Sequence, residues 1–137
     1  MGAWGIGNFA NDAAGDWLYE FGENPTKEFL EKTLEAVFQE EYLDSDTASE
    51  ALSAVEAITL IKGNSKEDEE EEELENIDFD ALKKGFDTTL FDKSIRCINR
   101  VLDKNNNELY ELWEESESFE DWKKVVLDLK NLVYSFQ

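Results

Sequence analysis

Asp46-Thr47-Ala48-Ser49-Glu50-Ala51-Leu52-Ser53-Ala54-Val55-Glu56-Ala57-Ile58-Thr59-Leu60-Ile61-Lys62-Gly63 is the stretch that decides the fold. Its apolar residues recur at spacings of three and four, the period of an α-helix. They also fall on most faces of that helix, which predicts a central, buried element. Its alanines let neighbouring helices approach closely. Thr47 and Glu50 have capping-box spacing at the start, and Gly63 closes the helix.

Toward the N-terminus, Asn24-Pro25 places a capping residue before a Pro at a first helical position. The helix it opens carries the stripe Phe29, Leu30, Leu34, Val37, Phe38 and is expected to end near Tyr42. Before it, a short helix is expected from Asn11 to Phe21, with Asn11 or Asp12 as N-cap and Gly22 as its end. Residues 1–10 interleave Gly2, Gly5 and Gly7 with Trp4 and Phe9. That composition reads as an irregular arm, folded back onto the core by its aromatic residues.

Toward the C-terminus, residues 79–86 are expected to form a short helical turn. A helix from about Thr89 to Asp103 follows, with the stripe Phe91, Ile95, Ile98, Leu102. Asn105-Asn106-Asn107 is a turn. Glu108 to about Glu115 forms the next helix, presenting Leu109, Leu112 and Trp113. Ser118 and Asp121 have capping-box spacing ahead of a last helix with Phe119, Trp122, Val126, Leu129, Val133 and Phe136. The expectation is an all-α, single-domain bundle of five or six helices over residues 1–137, with an irregular N-terminal arm and a disordered acidic loop at 64–78.

The 137 residues include 34 Asp plus Glu and 13 Lys plus Arg, for a net charge of -21. Residues 1–63 carry 13 acids and 3 bases, residues 64–78 carry 9 and 1, and residues 79–137 carry 12 and 9. The unbroken run Glu67-Asp68-Glu69-Glu70-Glu71-Glu72-Glu73 repels itself and reads as a solubilising linker. The acids of the first 63 residues are of greater interest, because they lie on segments expected to be ordered. This charge argues against nucleic acid, whose phosphates need cations, and against an anionic membrane surface. No apolar run approaches the roughly 20 residues of a membrane span. No secretory leader is visible, so a cytoplasmic protein is expected.

Candidate chemistry is sparse. The chain has no His, which removes the commonest general base and metal ligand. Nucleophilic catalysis of the Ser/His or Cys/His kind is therefore excluded. The single Cys97 excludes disulfides and multi-Cys zinc sites, and beside Ile98 it reads as core. No Asp or Glu lies in a sequence context expected to raise its pKa. Asp103, Asn105, Asn107, Leu109, Glu111 and Glu114 fall at calcium-loop positions, but the sixth position, normally Gly, is Glu108. An Asn-rich interhelical turn is the better reading. Trp113 extends a helical stripe and is expected in the core, despite the acids that follow it. No enzyme activity, cofactor or metal is expected.

The opening Met1-Gly2-Ala3-Trp4-Gly5-Ile6-Gly7-Asn8-Phe9, followed by Asn11-Asp12-Ala13-Ala14 and Asp16-Trp17-Leu18, resembles that of a bacterial family of small acidic proteins of unknown function. Further matches are Tyr42-Leu43-Asp44, Glu50-Ala51-Leu52-Ser53-Ala54-Val55-Glu56, Arg100-Val101-Leu102, Glu108-Leu109, Glu111-Leu112-Trp113-Glu114-Glu115 and Trp122. The run 67–73 looks like an insertion relative to that pattern. The resemblance carries no catalytic residues. It implies a class in which such proteins occur as immunity proteins beside bacterial toxin domains.

Two functions fit these observations. One is a non-catalytic immunity protein that occludes the cationic cleft of a basic toxin, such as a nuclease domain deployed in contact-dependent inhibition, with its anionic surface steering the encounter. The partner-binding candidates are Glu40, Glu41, Asp44 and Asp46, and as a second patch Glu111, Glu114, Glu115 and Glu117. The other is a helical protein-interaction or regulatory module with no toxin partner, since charge equally serves solubility.

Overall fold

The computed structural model describes residues 5–63, 74 and 77–137. Among them the chain is helical, with seven α-helices: α1 (Asp12–Glu23), α2 (Lys27–Ala36), α3 (Ser45–Gly63), α4 (Phe79–Lys83), α5 (Thr88–Leu102), α6 (Glu108–Glu114) and α7 (Phe119–Ser135). A 3₁₀ turn, Val37–Gln39, follows α2. The count exceeds the expected five or six because short segments close their own ends. In α4, the Asp78 side chain accepts from Ala81 N at 3.1 Å. Side-chain caps of this kind satisfy amides that a short helix leaves unpaired.

The helix α3 is the centre, and every other helix packs against it. Ala51, Ala54, Val55, Ala57, Ile58 and Ile61 are fully buried. Each large aliphatic side chain buried this way contributes about 2 kcal/mol. The polar Ser53 survives in this core because its hydroxyl donates to Ser49 O at 2.9 Å. A second layer gathers at α6 and α7. Trp113 and Trp122 stack there with centroids 5.8 Å apart, and Tyr110 meets Phe119 edge-on at 5.2 Å. Trp113 is thus core, as its stripe requires.

Several boundaries move. Asn11 is the α1 cap, accepting from Ala14 N at 2.8 Å, but α1 runs past Gly22 to Glu23. Thr26, not Asn24, caps α2, accepting from Phe29 N at 3.1 Å; Pro25 therefore precedes the cap. The helix α2 ends at Ala36 rather than near Tyr42, and the chain tightens into the 3₁₀ turn. Phe38, expected in the buried stripe, is turned out and 52% exposed. Ser118 makes no side-chain capping bond for α7; its N–H instead donates to the Ser116 hydroxyl.

The arm is irregular over residues 5–10, with Ile6 and Phe9 packed on the core and Asn8 buried. Trp4 and the run Glu67–Glu73 lie outside the described residues. The expected acidic loop at 64–78 ends in core: Leu74 is fully buried and Ile77 nearly so. These are the two apolar residues of that stretch, and burial of their side chains draws the end of the loop onto the bundle.

Candidate functional site

The first candidate patch sits where the 3₁₀ turn leads into α3. Its geometry is set by Leu43, whose side chain is fully buried and whose backbone is clasped by the turn before α6. Leu43 N–H donates to Asn106 O at 2.7 Å, and Glu108 N–H donates to Leu43 O at 2.9 Å. Asn107 holds that turn in place. Fully buried, its amide nitrogen donates to the carbonyls of Arg100, Val101 and Asp103 at 3.2, 2.8 and 2.9 Å. Its amide oxygen caps α6, accepting from Tyr110 N at 3.0 Å. Asn106 adopts φ 49°, a left-handed conformation that Asn tolerates better than most residues. Arg100 grips the same turn, donating to Asn105 O at 3.0 Å and Asn106 O at 2.7 Å.

Side chains complete the clasp. Glu108 accepts from Ser45 N at 2.9 Å. Tyr42 OH donates to Glu111 at 2.7 Å, and that carboxylate holds the phenol pKa above its ordinary value. Asp44 caps α3, accepting from Asp46 N at 2.7 Å and Thr47 N at 3.4 Å. The cap is therefore Asp44 and not the Thr47–Glu50 pair read from the sequence. Glu40 accepts from Asp44 N at 3.2 Å.

One residue of the second candidate patch thus meets the first. Glu40, Glu41, Asp44 and Asp46 form one edge of a rim, and Glu111, bonded to Tyr42, joins it from α6. Glu114, Glu115 and Glu117 are exposed further along α6 and beyond its end, and no hydrogen bond ties them to the clasp among the described residues. None of the eight candidate acids forms an ion pair among the described residues; the five pairs present lie elsewhere. The rim also carries two exposed aromatics, Phe38 and Tyr42, the latter 48% exposed. Sequence reasoning missed Phe38, Tyr42 and Glu108 as rim residues. Nothing local marks Phe38, which sits four residues after Leu34 just as a core residue would.

Glu50, on the first turns of α3, corrects another expectation. Burial, reinforced by the nearby carboxylates of Glu20, Asp46, Asp44 and Asp16, raises its pKa above the ordinary value. The helix-face arithmetic that put Glu50 in a capping box gave no sign of this. Cys97 is buried in α5 and donates to Leu34 O at 3.1 Å. Burial pushes its thiol up to about 12, so it is protonated and unreactive at neutral pH.

The calcium-loop positions are otherwise engaged. Both polar atoms of the Asn107 side chain face the backbone, and Leu109 is buried on a helix. Asp103 turns inward on its own loop, accepting from Asn105 N at 3.0 Å. Among the described residues no group of three or more acidic or Cys side chains is placed to hold a metal ion. No described helix is long and apolar enough to cross a membrane.

No curated protein and no solved structure matches the chain. A family model does, over residues 2–125: the domain of unknown function DUF4259. That span takes in the arm, the clasp, the rim and all helices up to the first turns of α7, so the chain belongs to the DUF4259 family.

Proposed function

We propose that this protein is a non-catalytic immunity protein, which neutralises a basic bacterial toxin, such as a nuclease domain, by laying its acidic rim over the toxin's cationic cleft. The observation that supports this reading is the composition of the rim. Glu40, Glu41, Asp44, Asp46 and Glu111 present negative charge with no ion-pair partner among the described residues. Phe38 and Tyr42 stand exposed among them. Unneutralised charge speeds encounter with a cationic surface, and exposed aromatics supply the desolvated anchors that tight binding needs. The partner on this reading is a protein with a basic cleft; the same charge argues against nucleic acid and an anionic membrane.

The test begins with capture on the immobilised protein from its source cells at low and then moderate salt. A stoichiometric basic partner is then assayed for its own activity with and without this protein. Inhibition is expected, with an association rate that falls steeply with ionic strength. Replacing Glu40, Glu41, Asp44 and Asp46 together by neutral residues is expected to abolish it. Recovery of only scattered basic proteins that wash off with salt overturns the immunity reading in favour of a helical interaction module. Unchanged inhibition by the fourfold variant overturns the rim.

A further inference from the structure

A groove of about 510 Å³ opens between α1 and α2, with α3 at one wall. It is separate from the clasp. Its base is the partly exposed ring of Phe29, backed by Trp17, which is only 2% exposed; the two centroids lie 5.8 Å apart with planes inclined at 41°. The Trp17 ring is held in place because its indole N–H donates to Thr33 Oγ1 at 2.8 Å. Three carboxylates line the walls, Glu20 from α1, Glu28 from α2 and Glu50 from α3. One cation, Lys32, also lines it; it is exposed and enters no ion pair among the described residues.

We infer that this groove is a docking site for a single arginine side chain projecting from a partner protein. An apolar side chain would strip water from three carboxylates with no return. An anion is repelled. A compact ammonium satisfies the charge but makes little use of the aromatic base. A guanidinium does both, since its planar face can stack on the exposed part of the Phe29 ring while its edge donates to carboxylates on more than one side. The groove walls come from three helices packed on one core, so the site is formed before binding and little ordering is needed. Glu50 gives the occupant a further role. Its carboxylate is disfavoured by burial and by the acids facing it, Asp16 and Glu20 from α1 and Asp44 and Asp46 at the start of α3, and a cation beside it relieves that repulsion.

This inference does not depend on the partner being a toxin, and it is tested without one. The probe is N-acetyl-L-arginine N-methylamide, an arginine residue as it occurs within a chain, titrated into the full protein. The readout is the indole N–H resonance of Trp17. A saturable shift is expected there, and none with the uncharged citrulline analogue. Glu50→Gln and Glu20→Gln are each expected to weaken binding about fivefold, the scale of one partly solvated ion pair. Glu41→Gln, on the rim, leaves it unchanged. Lys32→Gln, at an exposed position, tightens it and carries the test even if a wall variant folds poorly. An unsaturated drift spread over many acidic residues, an equal response to the citrulline analogue, or a silent Trp17 resonance overturns the site. A rim variant that keeps full inhibition while Trp17 still responds fails the proposed function alone.

Discussion

Along the α2–α5 side of the molecule, Lys93 reaches Glu35 at 2.8 Å and Glu31 at 3.4 Å, and Lys27 reaches Asp87 at 3.1 Å. On the rim, the carboxylates of Glu40, Asp44, Glu108 and Glu111 instead accept from backbone amides and a phenol. In both places the acids are ordered. In the first, their charge is cancelled within the molecule; in the second it is held in place and left facing outward. Neutral donors fix a carboxylate's position without spending its charge, and that is what a surface meant for a cationic partner requires.

The sharpest way to break this contrast is to remove the frame of the rim. Asn107→Ala deletes the α6 cap and removes the amide donor from the Val101 and Asp103 carbonyls, while Arg100 O keeps its bond from Asp103 N–H. A loss of about 3 kcal/mol is expected in denaturant unfolding. A loss below about 1 kcal/mol would show that the turn holds itself. Next, Lys93→Met leaves Glu31 and Glu35 uncompensated on the paired side, where Lys27–Asp87 remains. The pair is partly solvated, so the expected cost is about 0.5–1 kcal/mol, read by the same unfolding curves, and it should shrink in high salt.

Glu50→Gln probes a place where burial and neighbouring acids together disfavour a carboxylate. A carboxyl whose pKa is raised by folding contributes stability below its unfolded pKa and loses it as pH rises through the folded value. Near neutral pH the variant is therefore expected to melt slightly higher than the wild type. The gap should close as pH falls below the ordinary carboxylate range. A gap that persists at low pH would assign the effect to packing. Smallest of all is the Tyr42–Glu111 bond. Ultraviolet titration of the phenols should show Tyr42 ionising above the ordinary tyrosine range, and Glu111→Gln should bring it back down. No movement would mean that the bond does not persist in solution.

Much of the helical architecture was legible because it is local. The stripe of α3 and its burial, a cap at Asn11 or Asp12 and Trp113 as core all follow from spacings within a few residues. What escaped depends on residues far apart in the chain. Phe38 continues an apolar stripe, and only the tightening of the chain after Ala36 turns it outward. Asp44 looked like a free surface acid because its capping of α3 depends on where the helix begins. The meeting of Glu111 with the first acidic patch rests on Leu43 finding the turn at Asn106–Glu108, and no periodicity within either segment encodes that contact. Glu50 carries a raised pKa because packing buries it and brings acids of α1 and the start of α3 near it, again a matter of assembly.

The Leu43 clasp has a consequence for when the rim comes into being. Ser45 and Glu108 are 63 positions apart, so closing this contact costs chain entropy that neighbouring helices do not repay until they are packed. The acids of residues 40–46 are present from the moment the chain is made, but their arrangement is expected late in folding. An unfinished chain would offer a basic partner charge without shape. Pulse-labelling hydrogen exchange during refolding should protect the amides of Leu43 and Glu108 together, after those in the middle of α3; protection ahead of α3 would make the clasp part of the folding nucleus.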